Sequence, residues 1–347
     1  MQNKIDKTNV EDIVELNRVQ EGMLYHYLQD ENRNLYNVQL SFRINGFLDR
    51  AILQEALNAV QSAHQALRSV FRWEKLNKPV QVILYSCPTS IGYTDLSGRD
   101  EATGDLLAEY SLRKDWDQRF DLTELPLRLQ IIRLGEQSFV LSITHHHILY
   151  DGWSTAIFLK DLFYNYNQLV NKRAPLPGQQ PSFKDVCLAI KRNNGIDNGN
   201  EFWPDYLKGY QLRSAFARKS LSAGPSDGIQ KKVLTIGNID LDTICRSFNL
   251  TKAVIIYATY AIFRQKWQGI SDIVIGTTVS SRSAAVRGQE HTIGNFINTI
   301  PMRLGGVEDR SFYEVITQLN RELLLRNQFV ETSYSDIKQL LRLKPAD

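Results

Sequence analysis

The stretch THHHILYDGWS, residues 144–154, holds three of the six histidines of the chain and, four residues after the last of them, an Asp-Gly pair. The largely apolar run in front of it, residues 138–143, is typical of a buried strand, which Gly152 ends with a turn. After the turn, Ser154 is the predicted N-cap of a helix, because apolar side chains recur at helical spacing at Phe158, Leu162, Tyr166 and Leu169. The stretch therefore predicts a strand, a turn and a helix, with the histidines at the end of the strand.

Strand-like and helix-like runs alternate along the rest of the chain. In the first half, residues 36–46 and 79–85 have strand patterns, Asp49 caps a helical stripe, and residues 135–137 join two strands as a hairpin. The second half predicts a strand (231–237), a helix that is apolar all round and hence buried (250–269), a strand (271–280) and an amphipathic helix (312–328). This order predicts an α/β (α+β) protein of two lobes, each a mixed sheet backed by helices, with a cleft between them.

The Pro/Gly/Lys-rich stretch 171–181 is the predicted linker between the lobes. It divides the chain into an N-terminal lobe, residues 1–172, which carries the histidines, and a C-terminal lobe, residues 173–347. Two domains agree with a chain of 347 residues, since a domain has about 150 on average. Residues 192–200 and 221–228 are predicted loops.

Composition excludes several classes of protein. The chain is 43% hydrophobic and 23% charged, which is typical of a soluble globular protein. Its net charge of +3 is too small to indicate nucleic acid or an anionic membrane as the main partner. The start MQNKIDKTNVEDIVELN holds no apolar h-region, so no signal peptide is expected, and no apolar run reaches the roughly 20 residues that would cross a bilayer. Three widely spaced cysteines, Cys87, Cys187 and Cys245, fit apolar fillers in a reducing compartment, so we expect a cytoplasmic protein.

The histidines admit several interpretations. A lone histidine at a strand end is usually a satisfied core imidazole, but two histidines with a following Asp-Gly are much less common by chance. A metal site is not expected, because consecutive strand residues point to alternate faces and cannot converge on one ion. Asp151 lies at the start of the predicted helix, where the helix dipole favours negative charge. The pattern favours a catalytic imidazole at the end of the strand and a carboxylate at Asp151 that builds the site.

The motif HHILYDG, residues 146–152, resembles the HHxxxDG signature of condensation domains of nonribosomal peptide synthetases. Other segments resemble further motifs of that family in the right order, from about Gln20 to about Tyr334. They are VQEGMLYHYL (19–28), HQALRSVF (64–71, against RHExLRTxF), PSFKDV (181–186), IGTTVSSR (275–282) and IGNFINTIPMR (293–303, against IGxFVNTxxxR).

Two departures from the family pattern stand out. The fourth motif has Phe183 and Leu188-Ala189 where the family has tyrosine and tryptophan. The sequence also stops at LRLKPAD, before the family's last motifs, so we expect the C-terminal lobe to be incomplete.

The resemblance implies a chloramphenicol acetyltransferase-like fold, whose two lobes form a V around a central tunnel. It implies amide-bond formation, in which the amine of one substrate attacks the thioester of another. His147 would be the central catalytic residue, His146 would shape the turn, and Gly152 would offer its N–H to the thioester oxygen. Asp151 would be structural and pair with Arg282 of the second lobe. The residues expected to line the tunnel are Trp153, Ser154 and Asn298. Arg68 has two equally weighted interpretations, a role in the site and a position on a solvated helix face.

The resemblance also implies partners rather than a bound cofactor. Donor and acceptor would each be carried on the phosphopantetheine arm of a peptidyl carrier protein, with an adenylation domain adjacent in the same synthetase. We expect a monomer within that multidomain synthetase and no nucleic acid or membrane partner.

Alternatives remain open. Acyl-CoA-dependent acyltransferases of the HxxxD type share His147 and Asp151, but their DFGWG element is absent from this sequence. The other alternative is an inactive fragment or a carrier-recruiting module. Segment 19–28 also has a structural interpretation, an amphipathic helix that buries Met23, Leu24 and Tyr27. In segment 293–303, by contrast, Asn295, Asn298 and Thr299 in an otherwise apolar run favour a lining of the channel over packing alone.

Overall fold

The computed structural model describes residues 5–30, 34–175, 181–193, 199–211, 240–282 and 287–343. The chain divides into two compact units, Met1–Gly195 with Ser280–Asn298, and Ile196–Val279 with Thr299–Asp347. This division differs from the predicted boundary after residue 172, because Phe183, Val186 and Ile190, and later Ile293 and Phe296, bury their side chains in the core of the first unit.

The first unit contains two sheets and five α-helices among its described residues. Its elements are β1 (Val10–Glu15), α1 (Arg18–Gln29), β2 (Asn37–Asn45), α2 (Arg50–Ala63), β3 (Ser69–Arg72), β4 (Val80–Leu84), β5 (Ile91–Asp95), α3 (Glu101–Asp117), β6 (Leu127–Gly135), β7 (Ser138–His146), α4 (Gly152–Val170) and α5 (Phe183–Asn193). One sheet has the order β1-β4-β3 and the other β2-β7-β6-β5. Only the pair β5 and β6 is parallel among the described strand pairs of this unit, so the second sheet is mixed.

Strand β7, which leads to the histidines, is interior to the mixed sheet. It pairs antiparallel with β2 and β6, so that His145 lies opposite Val38 on one side and Leu127 on the other. All its residues after Ser138 are buried. The predicted hairpin through 135–137 and the predicted strand over 36–46 are confirmed. Asp49 caps α2 as predicted, because its Oδ1 accepts from the N–H groups of Ala51 and Ile52.

The second unit is smaller. Its described elements are α6 (Phe202–Tyr206), α7 (Leu241–Phe248), α8 (Lys252–Gln268), β8 (Asp272–Ser280), most of β9 (Ile297–Gly305), α9 (Phe312–Arg326) and α10 (Tyr334–Leu340), with β8 next to β9 in a two-stranded sheet. The predicted strand over 271–280 and the amphipathic helix over 312–328 are confirmed. The predicted strand 231–237 and the loop 221–228 lie outside the described residues, as do parts of the loop 192–200 and of the linker 171–181.

The prediction that the helix over 250–269 is buried all round is wrong. Helix α8 forms there, with Thr251 as its N-cap and Gly269 in the left-handed region as its C-cap. One face, with Val254, Ala258 and Ala261, packs into the core of the second unit. The other face is exposed and carries Ile256, Tyr260, Phe263 and Trp267. The presence of apolar residues on all sides of a helix therefore does not predict how many of its faces pack against other elements.

In the described part of the chain, no helix is both long and apolar enough for a membrane crossing.

Candidate active site

His147 lies in the short link between β7 and α4, and its backbone is held on both sides. Its N–H donates to the carbonyl of Tyr36 at 2.8 Å, and its carbonyl accepts from Nδ2 of Asn295 at 2.8 Å. The residue is partly exposed, and its Nδ1 is buried with no hydrogen-bond partner among the described residues. The imidazole therefore projects from a fixed backbone with part of its ring accessible.

The two preceding histidines are buried on opposite faces of β7, as expected for consecutive strand residues. The ring of His145 stacks on Tyr150, and His146 packs against Tyr27 and Tyr36. Burial, with a smaller contribution from the charge of His147, lowers the pKa of His146 to about 3 and holds the pKa of His145 well below its usual range. Both stay neutral near pH 7, so His147 is the member of the three that is accessible for chemistry.

His146 shapes the turn through a side-chain bond. Its Nδ1 accepts from the N–H of Ile148 at 3.1 Å, while its own carbonyl accepts from Leu149. An imidazole nitrogen that accepts carries no proton, so the proton of the neutral ring is on Nε2. The bond closes the chain back on itself directly after the strand.

Asp151 is fully buried and begins α4. Its Oδ1 accepts from the N–H of Ser154 at 2.9 Å, which makes Asp151 the N-cap. The prediction of Ser154 as the cap is therefore wrong, since Ser154 lies inside the first turn. Arg282 approaches the carboxylate with both Nη atoms, at 2.7 Å from Oδ2 and 3.2 Å from Oδ1. The N–H of Phe296 donates to Oδ2 at 3.0 Å, so the buried charge is surrounded by donors.

Arg282 thus lies where the resemblance implies a partner for Asp151. Its side chain is 6% exposed, and the carboxylate it faces is 0% exposed. The segment that carries it, Ser280–Asn298, belongs to the first compact unit rather than to a second lobe. A bidentate pair of this kind fixes the relative position of the two groups as well as their charge.

Ser154 does not line an open space. It is fully buried, and its Oγ accepts from Nη2 of Arg282 at 2.8 Å and donates to the carbonyl of Gly294 at 2.9 Å. The expectation that it lines a tunnel is therefore wrong, because the first turn of α4 faces the segment that contains Gly294. Trp153, by contrast, is 59% exposed. A Cβ added at Gly152 would meet no atom within 4 Å, so the start of α4 borders open space.

Gly294 allows the close packing around this network. A Cβ there would come within 2.6 Å of Cε2 of Phe296 and closer still to the ring of Phe183. Both rings are buried, so they cannot move aside freely. Only glycine fits between them without displacing core side chains.

Gly294→Ala is expected to lower the free energy of unfolding by about 1–3 kcal/mol through overpacking. Urea unfolding followed by circular dichroism measures the change. Gly152→Ala is the matched control for stability, because its new methyl group meets open space. Equal stability of the two variants would contradict the packing argument.

Two polar side chains that the sequence analysis did not single out form hydrogen bonds to the backbone of the link and of the segment that holds it. Nε2 of Gln20 donates to the carbonyl of Ile148 at 2.9 Å, and Nδ2 of Asn17 donates to the carbonyl of Asn295 at 2.7 Å. Helix α1 buries Met23 and Leu24 and partly buries Tyr27, as predicted. It also buries the polar side chain of Gln20, which is only 3% exposed. A glutamine at a core position of an otherwise amphipathic helix was the available signal.

The remaining predicted site residues are buried. Arg68 is 8% exposed, which excludes the solvated helix face, and it contacts the Glu11 carboxylate and the Gln61 carbonyl. It also lines a cavity of about 260 Å³. Asn295 is 1% exposed and bonds the backbone of His147, and Asn298 is 6% exposed on β9.

A family model described as Condensation domain matches residues 10–346. The chain belongs to the condensation-domain family.

The regions that match this condensation domain are small parts of much longer proteins. Gramicidin S synthase 2 of Brevibacillus brevis is 30% identical over 347 residues, which is 97% of the domain and 8% of the synthase. Bacitracin synthase 1 of Bacillus licheniformis is 28% identical over 349 residues, which is 99% of the domain and 7% of that synthase.

Solved condensation domains share the mixed α/β fold. The first condensation domain of the calcium-dependent antibiotic synthetase, in complex with a substrate analogue, matches with a TM-score of 0.77 at 19% identity, over 96% of this chain and 78% of that chain. A variant of the starter condensation domain of rhizomide synthetase, in complex with C8-CoA, matches with a TM-score of 0.81 at 19% identity, over 96% and 76%.

Proposed function

We propose that this condensation domain forms an amide bond between two carrier-bound substrates. The α-amine of the acceptor attacks the thioester carbonyl of the donor, the C–N bond forms, the C–S bond breaks, and the departing thiolate takes up the proton that the amine loses. The observation that carries the proposal is the partly exposed His147 on a hydrogen-bonded link that ends at Gly152, where an added Cβ would meet open space. Membership of the family supports the reaction type.

The role of His147 in this proposal is mainly to position the amine and to stabilise the charged intermediate. General-base catalysis contributes roughly 10²–10⁴ in rate, whereas holding two reactants together supplies effective molarities of about 10⁵–10⁸ M. A strong general base is commonly oriented by a third group on its other nitrogen. Nδ1 of His147 has no such partner among the described residues. A thioester is already activated, so positioning suffices.

The N–H of Gly152 is the proposed donor to the thioester oxygen as it becomes negative. The first N–H groups of a helix have no intrahelical partner, and the helix dipole favours negative charge there. Helix α4 has 19 residues and begins at Gly152. The absence of a side chain lets the substrate approach that N–H closely.

The wider setting is part of the same proposal. We propose that two lobes form a V around a tunnel and that donor and acceptor carrier proteins insert their phosphopantetheine arms into it from opposite faces. Trp153 is proposed to lie at the path of a substrate. A peptide synthetase with a neighbouring adenylation domain is the proposed context, which the similarity to gramicidin S and bacitracin synthases supports.

His147→Ala is expected to lower the rate of amide formation by at least about 10², because the amine is no longer held in line. The assay uses carrier proteins loaded with a donor and an acceptor aminoacyl group and quantifies the dipeptide by mass spectrometry. His291→Ala is the control, since its ring is 54% exposed and takes no part in the network.

An undiminished rate in His147→Ala would exclude a catalytic role for this residue. Failure of the unaltered protein to form product from loaded carriers would favour a carrier-recruiting module. Product formed from an acyl-CoA donor without a donor carrier would favour the acyl-CoA-dependent alternative.

A further inference from the structure

His145 and Tyr150 form a stacked pair directly beside His147. Their ring centroids are 3.8 Å apart, and their planes make an angle of 18°. Both side chains are buried, at 1% and 0% exposed. Phe158 continues the stack beyond Tyr150, at 6.2 Å and 27°. Two successive stacked contacts therefore run from His145 through Tyr150 to Phe158 inside the first unit, and we call them the column.

The column connects the two elements between which His147 lies. His145 belongs to β7, Tyr150 belongs to the link, and Phe158 belongs to α4. The ring of His145 is also 6.5 Å from the ring of His147. The Tyr150 ring thus contacts both the end of the strand, through His145, and the helix, through Phe158.

Two polar atoms of the pair take no part in holding it. The hydroxyl of Tyr150 and Nδ1 of His145 are both buried without a hydrogen-bond partner among the described residues. Buried polar atoms without partners are unfavourable, so the column is held by the packing of ring faces. A phenylalanine ring at position 150 would preserve that packing and remove the unpaired hydroxyl.

We propose that the His145–Tyr150 stack is a positioning device for His147, which sets the imidazole relative to the N–H of Gly152. Its effect on rate rests on the proposed function, whereas its effect on the placement of His147 does not. Hydrogen bonds from Gln20 and Asn295 fix the carbonyls of Ile148 and His147. The stack supplies what those bonds do not, which is the spacing across the link.

The test compares Tyr150→Leu, which removes the flat ring, with Tyr150→Phe, which keeps it. Protein labelled with ¹³C at histidine Cε1 gives a signal for His147, assigned by its loss in His147→Ala. We expect Tyr150→Phe to keep the wild-type chemical shift and pH titration of this signal, together with wild-type kcat and an equal or higher Tm. In Tyr150→Leu we expect a shifted signal with an altered titration, and a kcat at least tenfold lower at nearly unchanged KM, as small misplacements produce.

A purely structural role would give a different result. If Tyr150→Leu lowered the Tm but left the His147 signal, its titration and kcat unchanged, the proposal would be overturned. If that variant did not fold, His145→Leu and His145→Phe would pose the same comparison from the strand side, with the same two outcomes. Unaltered protein that forms no amide product would refute the proposed function, while the His147 signal would still decide the positioning.

Discussion

Asp151→Asn is expected to lower the free energy of unfolding by about 3–5 kcal/mol, because it leaves the Arg282 guanidinium buried and unpaired. The pair is almost completely removed from solvent, at 0% and 6% exposed. A buried charge that loses its partner keeps its desolvation penalty without the attraction that offset it. Urea unfolding at constant pH gives the free energy directly.

The matched control is an exposed ion pair. Arg18 and Glu21 lie 3.0 Å apart in the first turn of α1, with side chains 60% and 30% exposed. Surface pairs of this kind contribute roughly 0–1 kcal/mol, so Glu21→Gln is expected to change stability little. If Asp151→Asn cost no more than Glu21→Gln, the buried pair would have no structural role.

A double variant separates the pair from its surroundings. Arg282→Met leaves the carboxylate with the N–H groups of Ser154 and Phe296, so its cost is also several kcal/mol. Asp151→Asn combined with Arg282→Met removes both charges, and we expect the double variant to be less destabilised than the sum of the single ones. Additive costs would mean that the two side chains act independently.

Patterns among residues close together in the sequence were enough to predict the strand, the link and the helix that carry this site. The largely apolar run in residues 138–143, the Asp-Gly pair and the helical stripe after it predicted β7, the link and α4. The N-cap was misplaced by three residues, since Asp151 and Ser154 are both favourable cap residues. The structure shows why position 151 carries a carboxylate: the Asp151 side chain pairs with Arg282, which lies 131 residues away in the sequence.

The supports of His147 could not be predicted in this way. They are single hydrogen bonds between residues far apart in sequence, such as Gln20 to Ile148 at a separation of 128. Tyr36, whose carbonyl accepts from His147, has a φ of +66°, a left-handed conformation that is uncommon for residues other than glycine. Neither feature leaves a periodic pattern. The exposure of one face of α8 could not be predicted for the same reason. Burial of a helix face depends on the elements that pack against it, and the sequence of the helix does not specify them.

Acidification below pH 6.5 is expected to destabilise the folded protein steeply because His145 and His146 are buried as neutral rings. An unfolded histidine has a pKa of about 6.5, whereas burial lowers the pKa of His146 to about 3 and that of His145 well below its usual range. Below pH 6.5 the unfolded state therefore binds more protons than the folded state. Stability from this source is complete above the unfolded pKa and is lost as the pH falls towards the folded one.

The expected slope follows from the number of groups. Each buried histidine contributes up to about 1.4 kcal/mol per pH unit, so the two together give up to about 2.7 kcal/mol per unit. Between pH 6.5 and 5 the loss is about 3 kcal/mol, because each ring reaches the full slope only well below its unfolded pKa; this is a large share of the roughly 5–15 kcal/mol by which proteins are stable. Urea unfolding at half-unit steps from pH 8 to pH 5 measures the slope and its onset.

Variants at the two positions assign the slope to its source. His145→Phe keeps a flat ring against Tyr150, and His146→Asn keeps an acceptor within reach of the Ile148 N–H. Each should remove about half of the slope below pH 6.5 and leave the flat region above it unchanged, since neutral histidines contribute no pH dependence there. Slopes equal to that of the unaltered protein would mean that both rings become protonated within the fold.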